Sequence, residues 1–344
     1  MKITIDAASL AKALDTMQKL APPTNGVVNV SSDGKRLTMH SASETSQCSL
    51  KVPAESVSGP AANFAIPLTG LRDATKGHQS LSLSLANASL TIKAKGYQAT
   101  LATVDSVPID VTEPAETKTW EVGAVVSDWL SSAVKAVALK PTTLLSTWIP
   151  LGIKIGKRAF VACYDGQRVS WVSSQEVSGS FECVAPADTM GTLLEVFKGQ
   201  ALKIQTGAGY LKVVTKLASV TVVTPIDEDI PQLSAVMAKV SEASKADGDM
   251  RVVGKASLTQ FFENARSVVT KERAEIIATG TMKVKSDIGE VQSKINAGTF
   301  KVDYDFFVEA VGKVSGGEVN LKIVEGAFLS IGTEAGSVIV AQNQ

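Results

Sequence analysis

Apolar positions along the chain switch between two periods, and they do so in the same order three times. Near the start, Leu10, Leu14, Met17 and Leu20 fall at three- and four-residue spacing while Lys12, Asp15, Gln18 and Lys19 take the opposite side, which predicts an amphipathic helix. That helix follows a short strand and precedes a hairpin: MKITIDAASLAKALDTMQKLAP, then VVNVSSDGKRLTMHSAS. The same order recurs as TWEVGAVVSDWLSSAVKAVAL with LGIKIGKRAFVACYDGQ, and again as MRVVGKASLTQFFENARSVVTKER with EIIATGTMKVKSDIG. The copies begin near positions 1, 119 and 250. In the third, Leu258, Phe261, Phe262, Ala265 and Val269 make the apolar stripe. Stripes of this kind are read as core.

Each copy continues into a second half with one grammar: a strand, a short helix, then three alternating strands. The helix stops are marked by Lys76-Gly77, Lys198-Gly199 and Gly316-Gly317, because glycine past the last turn accepts the left-handed conformation. Alternation such as Leu81-Ser-Leu-Ser-Leu85 and Leu202-Lys-Ile204 suits antiparallel sheets with one buried and one wet face. Asp33-Gly34, Gly156-Lys157 and Gly207 to Gly209 supply hairpin turns. The stretches Thr112 to Lys118 and Ser241 to Gly248 are polar and aperiodic, and read as interdomain linkers. The expected fold is α+β: six βαβββ-like units in three repeated domains, 1–116, 117–243 and 244–344.

Composition narrows the classes. At 344 residues, 44% hydrophobic and 20% charged, the chain can bury several cores. Its apolar stretches, such as Val134 to Leu139 around Lys135, fall far short of the roughly 20 residues that span a bilayer. The N-terminus lacks the basic segment and apolar stretch of a secretory leader. Cys48, Cys163 and Cys183 are scattered without CxxC spacing, which argues against a disulfide framework or zinc site. A cytoplasmic protein is expected. Catalytic chemistry finds no foothold: His40 and His78 are far apart and lack partners at triad or metal spacing, and both are read as surface residues. No GxxxxGK[ST], GxSxG or HExxH pattern occurs, and Asp227-Glu228-Asp229 reads as a solvated charge run. No catalytic residue, metal or cofactor is expected.

Within the second copy, Val161-Ala-Cys-Tyr-Asp-Gly-Gln-Arg-Val-Ser170 resembles the T-D-G-H-R-L-A segment of bacterial β sliding clamps, the β subunits of replicative DNA polymerases. Ala99-Thr-Leu-Ala-Thr-Val104 with Val107-Pro108 is similar to that family's F-S-L-S-T-L strand and following F-P, and Ile230-Pro-Gln-Leu-Ser-Ala-Val-Met237 to its F-P-D-Y-R-R-V-L. The resemblance covers essentially the whole chain through short motifs. Tyr164 and Gln167 depart from the family's threonine and histidine, a divergence of the kind a phage-encoded member would show.

The resemblance implies a head-to-tail homodimeric ring that encircles double-stranded DNA, with helices lining the hole and antiparallel sheets outside. It implies a processivity factor, not an enzyme, that tethers a replicative polymerase and is opened by an ATP-dependent loader. Equal numbers of basic and acidic residues, 34 each, argue against tight binding through overall charge, but a ring holds DNA by topology. Helix faces would offer Lys12, Lys19, Arg72, Lys76, Lys135 and Lys198 to phosphates, with Arg266, Lys271, Arg273 and Lys313, and Lys140 in a Lys-Pro loop. A peptide pocket between the second and third domains would be walled by Trp148, Ile149, Tyr164, Gly166, Gln167, Arg168 and Val169, then Pro231, Val236, Val338 and Val340. Arg168 reads equally as a structural tie for the Asp165 turn. Ring closure would pair Ala99 and Leu101 of one copy with Val268 and Val269 of the next. Two other classes stay open on the residues alone: a phage structural protein built of repeated β-rich domains, and a hydrolase on a β-rich scaffold.

Overall fold

The computed structural model describes residues 1–33, 36–44, 46–104, 116–140, 149–223, 232–269, 274–332 and 336–341. The first copy folds as β1 (Lys2–Asp6), α1 (Ala7–Leu20), β2 (Val27–Ser32), β3 (Leu37–Ala42) and β4 (Ser46–Val52), then a short β5 (Ser56–Ser58). Its second half is β6 (Ala62–Pro67), α2 (Leu68–Asp73), β7 (Ser80–Ala86), β8 (Ser89–Ala94) and β9 (Tyr97–Ala102). The second copy is β10 (Lys118–Val122), α3 (Ala124–Val137), β11 (Pro150–Ile155), β12 (Ala159–Tyr164) and β13 (Arg168–Ser174), followed by β14 (Phe181–Pro186), α4 (Ala187–Val196), β15 (Leu202–Gly207), β16 (Tyr210–Val214) and β17 (Ala218–Val223). After α5 (Leu233–Lys245) the third copy runs β18 (Asp249–Gly254), α6 (Lys255–Ala265), β19 (Glu275–Lys285), β20 (Glu290–Asp303), α7 (Tyr304–Gly312), β21 (Glu318–Val324), β22 (Phe328–Gly332) and β23 (Gly336–Ala341).

Local chemistry explains where the helices begin and end. Asp6 caps α1 by accepting from the Ser9 backbone N–H at 2.7 Å, and Asp303 caps α7 by accepting from that of Phe306 at 3.2 Å. The stripe on α1 is buried as the periodicity requires, with Leu10, Leu14, Met17 and Leu20 all in the core. Gly77 and Gly199 adopt φ of +74° and +75°, the left-handed stop expected of them. The third short helix ends earlier than Gly316-Gly317, at Gly312.

Among the described residues every strand pair is antiparallel. One sheet has the order β5-β1-β7-β8-β9, a second β10-β15-β16-β17-β4-β3-β2-β6, a third β14-β11-β12-β13-β23-β22-β21-β18, and β19 pairs with β20 alone. The chain divides into two compact units, Met1–Asp128 with Thr192–Ile226 and Trp129–Gly191 with Asp227–Gln344. The first unit holds the five-stranded sheet and the first eight-stranded one. The second holds the other eight-stranded sheet and the ribbon.

Both eight-stranded sheets are made the same way: the last strand of one copy's second half pairs with the last hairpin strand of another's first half. β17 meets β4 with Val220 opposite Cys48, and β23 meets β13 with Val340 opposite Arg168. Where such a join exists, the core row is sealed, as Cys48, Leu50 and Val52 show. β9 and β20 occupy the corresponding places, each with one edge that meets no further strand among the described residues. Their rows, Tyr97-Ala99-Leu101 and Val291-Ser293-Ile295, are only half-buried.

Two expectations are corrected. Ser241 to Gly248 is not an irregular linker: α5 continues to Lys245 and buries Leu233, Val236, Val240 and Ala243, an apolar stripe that the polar residues at its end obscure. The hairpin over 275–289 is not a short one like the first two. β19 runs 11 residues against the 14 of β20, and the ribbon absorbs its bend through register shifts at Gly280–Lys283 and positive φ at Gly280 and Gly298.

Candidate functional site

In the second unit, β12 and β13 are joined by the tight turn Asp165-Gly166-Gln167-Arg168. Asp165 Oδ1 accepts from the backbone N–H groups of Gln167 and Arg168 at 3.1 and 2.8 Å, and Gly166 takes φ +85°, a value that favours glycine. The turn drives Arg168 inward. The residue is 2% exposed, and its guanidinium donates through Nε to Asp165 Oδ2 at 2.8 Å, through Nη1 to Glu309 Oε2 at 2.7 Å and through Nη2 to the Lys140 carbonyl at 2.8 Å. It also lies 4.1 Å from the ring centroid of Phe306. Arg168 therefore ties β13 to α7, the structural reading of this residue, and offers no surface to a peptide.

Lys313 belongs to the same network. Its Nζ donates to the Val137 and Ala138 carbonyls at 3.2 and 2.6 Å and to Ser170 Oγ at 3.2 Å. Burial pulls its pKa down, opposed by the Glu309 carboxylate. A lysine so committed satisfies the end of α3 and is not available to phosphate, which corrects the expectation that it faces DNA. Lys140 keeps an exposed side chain while its backbone N–H donates to Glu309 Oε1 at 3.0 Å.

On the sheet face turned away from the third-copy core, α5 lies across β12 and β13. Leu233 fits because β11 carries Gly152 beneath it; a Cβ there would come within 2.3 Å of the leucine. Phe160, Ala162, Tyr164, Leu233, Val236 and Val240 form a buried cluster, rimmed by the partly exposed Val169, Trp171, Met237 and Ile339. Burial pushes the Tyr164 phenol up to about 12, so it stays protonated. The rim is an apolar strip open to solvent beside a helix.

The strip has an internal comparison. At the equivalent join of β4 and β17 the same outward positions are Gln47, Ser49 and Lys51 on one strand and Ser219 and Thr221 on the other. Those places are polar, although Val223 at the end of the same face is apolar and 42% exposed. On β13 and β23 the places go to Val169, Trp171 and Ile339, and an exposed apolar strip rimmed by polar residues marks an interaction surface.

Of the expected pocket residues, the structure brings together Tyr164, Val169 and Val236, with Gly166 and Gln167 exposed at the neighbouring turn. Ile149 is buried at 7%, while Trp148 and Pro231 lie outside the described residues. Val338 and Val340 are corrected: both point into the third-copy core, and the wall residue is Ile339 between them. A slip of one residue exchanges every side chain between the faces of a strand. Trp171, Met237 and Ile339 escaped the sequence reading; the two-residue step from Val169 would have reached Trp171.

The other expected residues scatter. Lys12, Lys19, Lys135, Lys198 and Arg266 are exposed, whereas Arg72 pairs with Asp15 at 2.8 Å and Lys76 with Asp73 at 2.7 Å, all on the surface. Lys271 and Arg273 lie outside the described residues, as do Asp227, Glu228 and Asp229. Ala99 and Leu101 sit on β9, the edge strand of the five-stranded sheet. Val268 and Val269 follow α6 and back the turn between β19 and β20, with Val268 against Gly289. His40 and His78 are half-buried, not surface residues: His40 faces Ser31 at 3.4 Å and the His78 ring lies tilted against that of Tyr97 with centroids 4.7 Å apart. The three cysteines are buried free thiols, each pushed up to about 12 by desolvation. Among the described residues no group of three or more His, Cys, Asp or Glu is placed to hold a metal, and no helix is long and apolar enough to cross a membrane.

The architecture has solved counterparts. The DNA polymerase III subunit beta of Pseudomonas aeruginosa matches over 100% of both chains with TM-score 0.77 at 15% identity. The beta subunit of Thermotoga maritima matches with TM-score 0.77 and 15% identity over 100% of this chain and 99% of its own. The chain has the sliding-clamp fold. The Helicobacter pylori beta clamp bound to a DNA ligase peptide matches over 100% of both chains with TM-score 0.74 and 14% identity. No family model matches, nor does any curated protein sequence. The clamp fold is thus carried here by a sequence only 14–15% identical to these structural neighbours.

Proposed function

We propose that this protein is a DNA sliding clamp: a homodimeric ring that encircles duplex DNA and tethers a replicative polymerase, without catalytic activity of its own. The observation that carries the reading is the pair of unpartnered, half-buried edges on β9 and β20. They occupy the places that the joins β17–β4 and β23–β13 occupy elsewhere, so β9 of one copy and residues 290–296 of another would repeat that join twice and close a ring. Ala99 and Leu101 would lie in this joint, with Val268 and Val269 supporting it from behind. The division into domains 1–116, 117–243 and 244–344 belongs to the same proposal, although its second boundary falls inside α5.

DNA would be met loosely by Lys12, Lys19, Lys135, Lys140, Lys198 and Arg266, through non-specific phosphate contact that permits sliding. Polymerase and loader peptides would dock on the strip of Val169, Trp171, Met237 and Ile339. The peptide-bound Helicobacter pylori clamp supports that use of the fold. The setting would be the cytoplasm, with loading driven by a separate ATPase.

The topological claim is tested by loading the protein on nicked circular DNA and then linearising it. A clamp stays on the circle and runs off the ends; equal loss from both forms rejects the ring. Large assemblies indifferent to DNA would point to a structural protein instead.

A further inference from the structure

The first strand of the first copy is paired along both edges. β7 covers one side of β1, and β5 covers the other, with Ser58, Val57 and Ser56 opposite Lys2, Ile3 and Thr4. β18 holds the same position in the third copy. It leads straight into a helix whose first backbone N–H, that of Lys255, donates to the Gly317 carbonyl at 2.8 Å, as Ala7 donates to Gln79 at 2.9 Å. Counting back from the two helix starts, Met250, Arg251 and Val252 take the places of Lys2, Ile3 and Thr4. β21 covers one edge of β18, and no strand covers the other among the described residues. In the first copy the Thr4 carbonyl faces the cover strand and accepts from the Glu55 N–H at 2.9 Å. Backbone groups alternate in direction along a ladder, so the N–H and C=O of Val252, and of Met250 two residues before it, point to the open edge.

The polarity of the two places is inverted. In the first copy Val57 lies opposite the buried Ile3, while serines lie opposite Lys2 and Thr4 on the other face. In the third, the outer positions are apolar and open, Met250 at 60% and Val252 at 61% exposure, and Arg251 turns inward, toward Gly298 of the ribbon. Between the start of β18 and the bend of the ribbon opens a cavity of about 730 Å³, whose polar lining includes Asp247, Asp249, Arg251, Asn296 and Glu325. Asp249 Oδ2 already accepts from Arg251 Nε at 2.8 Å. Asp247 and Glu325 are exposed and make no ion pair among the described residues. The lining thus sets three carboxylates against one guanidinium that is already committed.

We propose that the open edge of β18 binds an extended segment of a partner protein in which a basic residue stands between two apolar ones, added antiparallel as β5 is added to β1. Its main chain would pair with Met250 and Val252, its apolar side chains would lie against those two residues on the outer face, and its basic side chain would enter the cavity between Asp247 and Glu325. Strand addition takes affinity from main-chain bonds and specificity from alternate side chains. β22 and β21 separate this edge from the strip at β23, so the site is a second one and does not depend on peptide docking there.

The test titrates the full chain, carrying 13C at isoleucine methyls, with acetylated, amidated Thr-Val-Lys-Val-Thr and its twin Thr-Val-Glu-Val-Thr. Ile323 lines the cavity and Ile339 the strip, and Ile323→Val and Ile339→Val assign their signals. The expected result is a shift of the Ile323 methyl with the lysine peptide, slower amide exchange at Met250 and Val252, and affinity about tenfold above the glutamate twin. Val252→Pro removes an N–H that points away from β21, which an edge strand tolerates, and should abolish binding. Asp247→Asn with Glu325→Gln should bring the two peptides to equal affinity. Equal affinity of the parent chain for both peptides overturns the proposal. So does a shift at Ile339 without one at Ile323, binding that survives Val252→Pro, or no response to the lysine peptide.

Discussion

Arg168 shows how much one buried charge can decide. Its guanidinium meets two carboxylates and a carbonyl at 1% side-chain exposure, and removing one partner of such a set leaves the others uncompensated. Arg168→Ala is expected to destabilise the chain by about 3–5 kcal/mol, read as a lower urea midpoint; a loss under 1 kcal/mol would mean the network is weak. The two capping aspartates behave in opposite ways. Hydrogen bonds from Ser9 hold Asp6 below its ordinary 3.8, so its contribution is present above that value and is lost as pH falls through the folded pKa. Burial holds Asp303 above 3.8, so its ionised form is penalised at neutral pH, and the penalty shrinks once pH falls through the raised value and is gone below 3.8. Asp303→Asn keeps the cap without the charge and should be at least as stable as the parent at pH 7, whereas Asp303→Ala should lose about 0.5–2 kcal/mol. Equal losses in the two variants would show that the charge, not the cap, matters.

Among the elements, β23 is where the sequence and the structure part. Val338, Ile339 and Val340 are all apolar, so alternation has no phase to offer, and only the pairing of Val169 with Ile339 shows which residue faces out. The phase makes a sharp expectation. Ile339→Asp should abolish peptide capture and polymerase stimulation with the fold intact, while Val340→Ala should cost about 1–3 kcal/mol of stability through a core cavity and leave capture unchanged. The reverse pattern would restore the other register. Elsewhere, much was legible: the helix stripes, the glycine stops at Gly77 and Gly199 and the repeat follow from spacing alone. The Arg168 network was not, because Glu309 lies 141 residues away and no local period connects them. The length of α5 was hidden by its polar last turn, and the strip by the absence of any motif around Trp171.

At the scale of the whole molecule, two sheet joins within the chain set the pattern for the proposed third. Leu101→Asp on β9 should convert a dimer into a monomer by ultracentrifugation without unfolding it; a dimer that survives would place the contact elsewhere. The third copy also brings a peculiarity to that joint. At the two joins within the chain, β4 is backed by β3, β2 and β6 and β13 by β12, β11 and β14, whereas β20 is backed by β19 alone, with glycine kinks at 280 and 298. A two-stranded ribbon resists bending poorly, so the closed assembly would not be equally stiff around its circumference. Its compliance would gather at the two places where copies meet, and backbone amides of residues 290–296 would exchange with solvent faster than those of β4. A ring that must be opened to be threaded would then carry its hinge and its latch in the same strand.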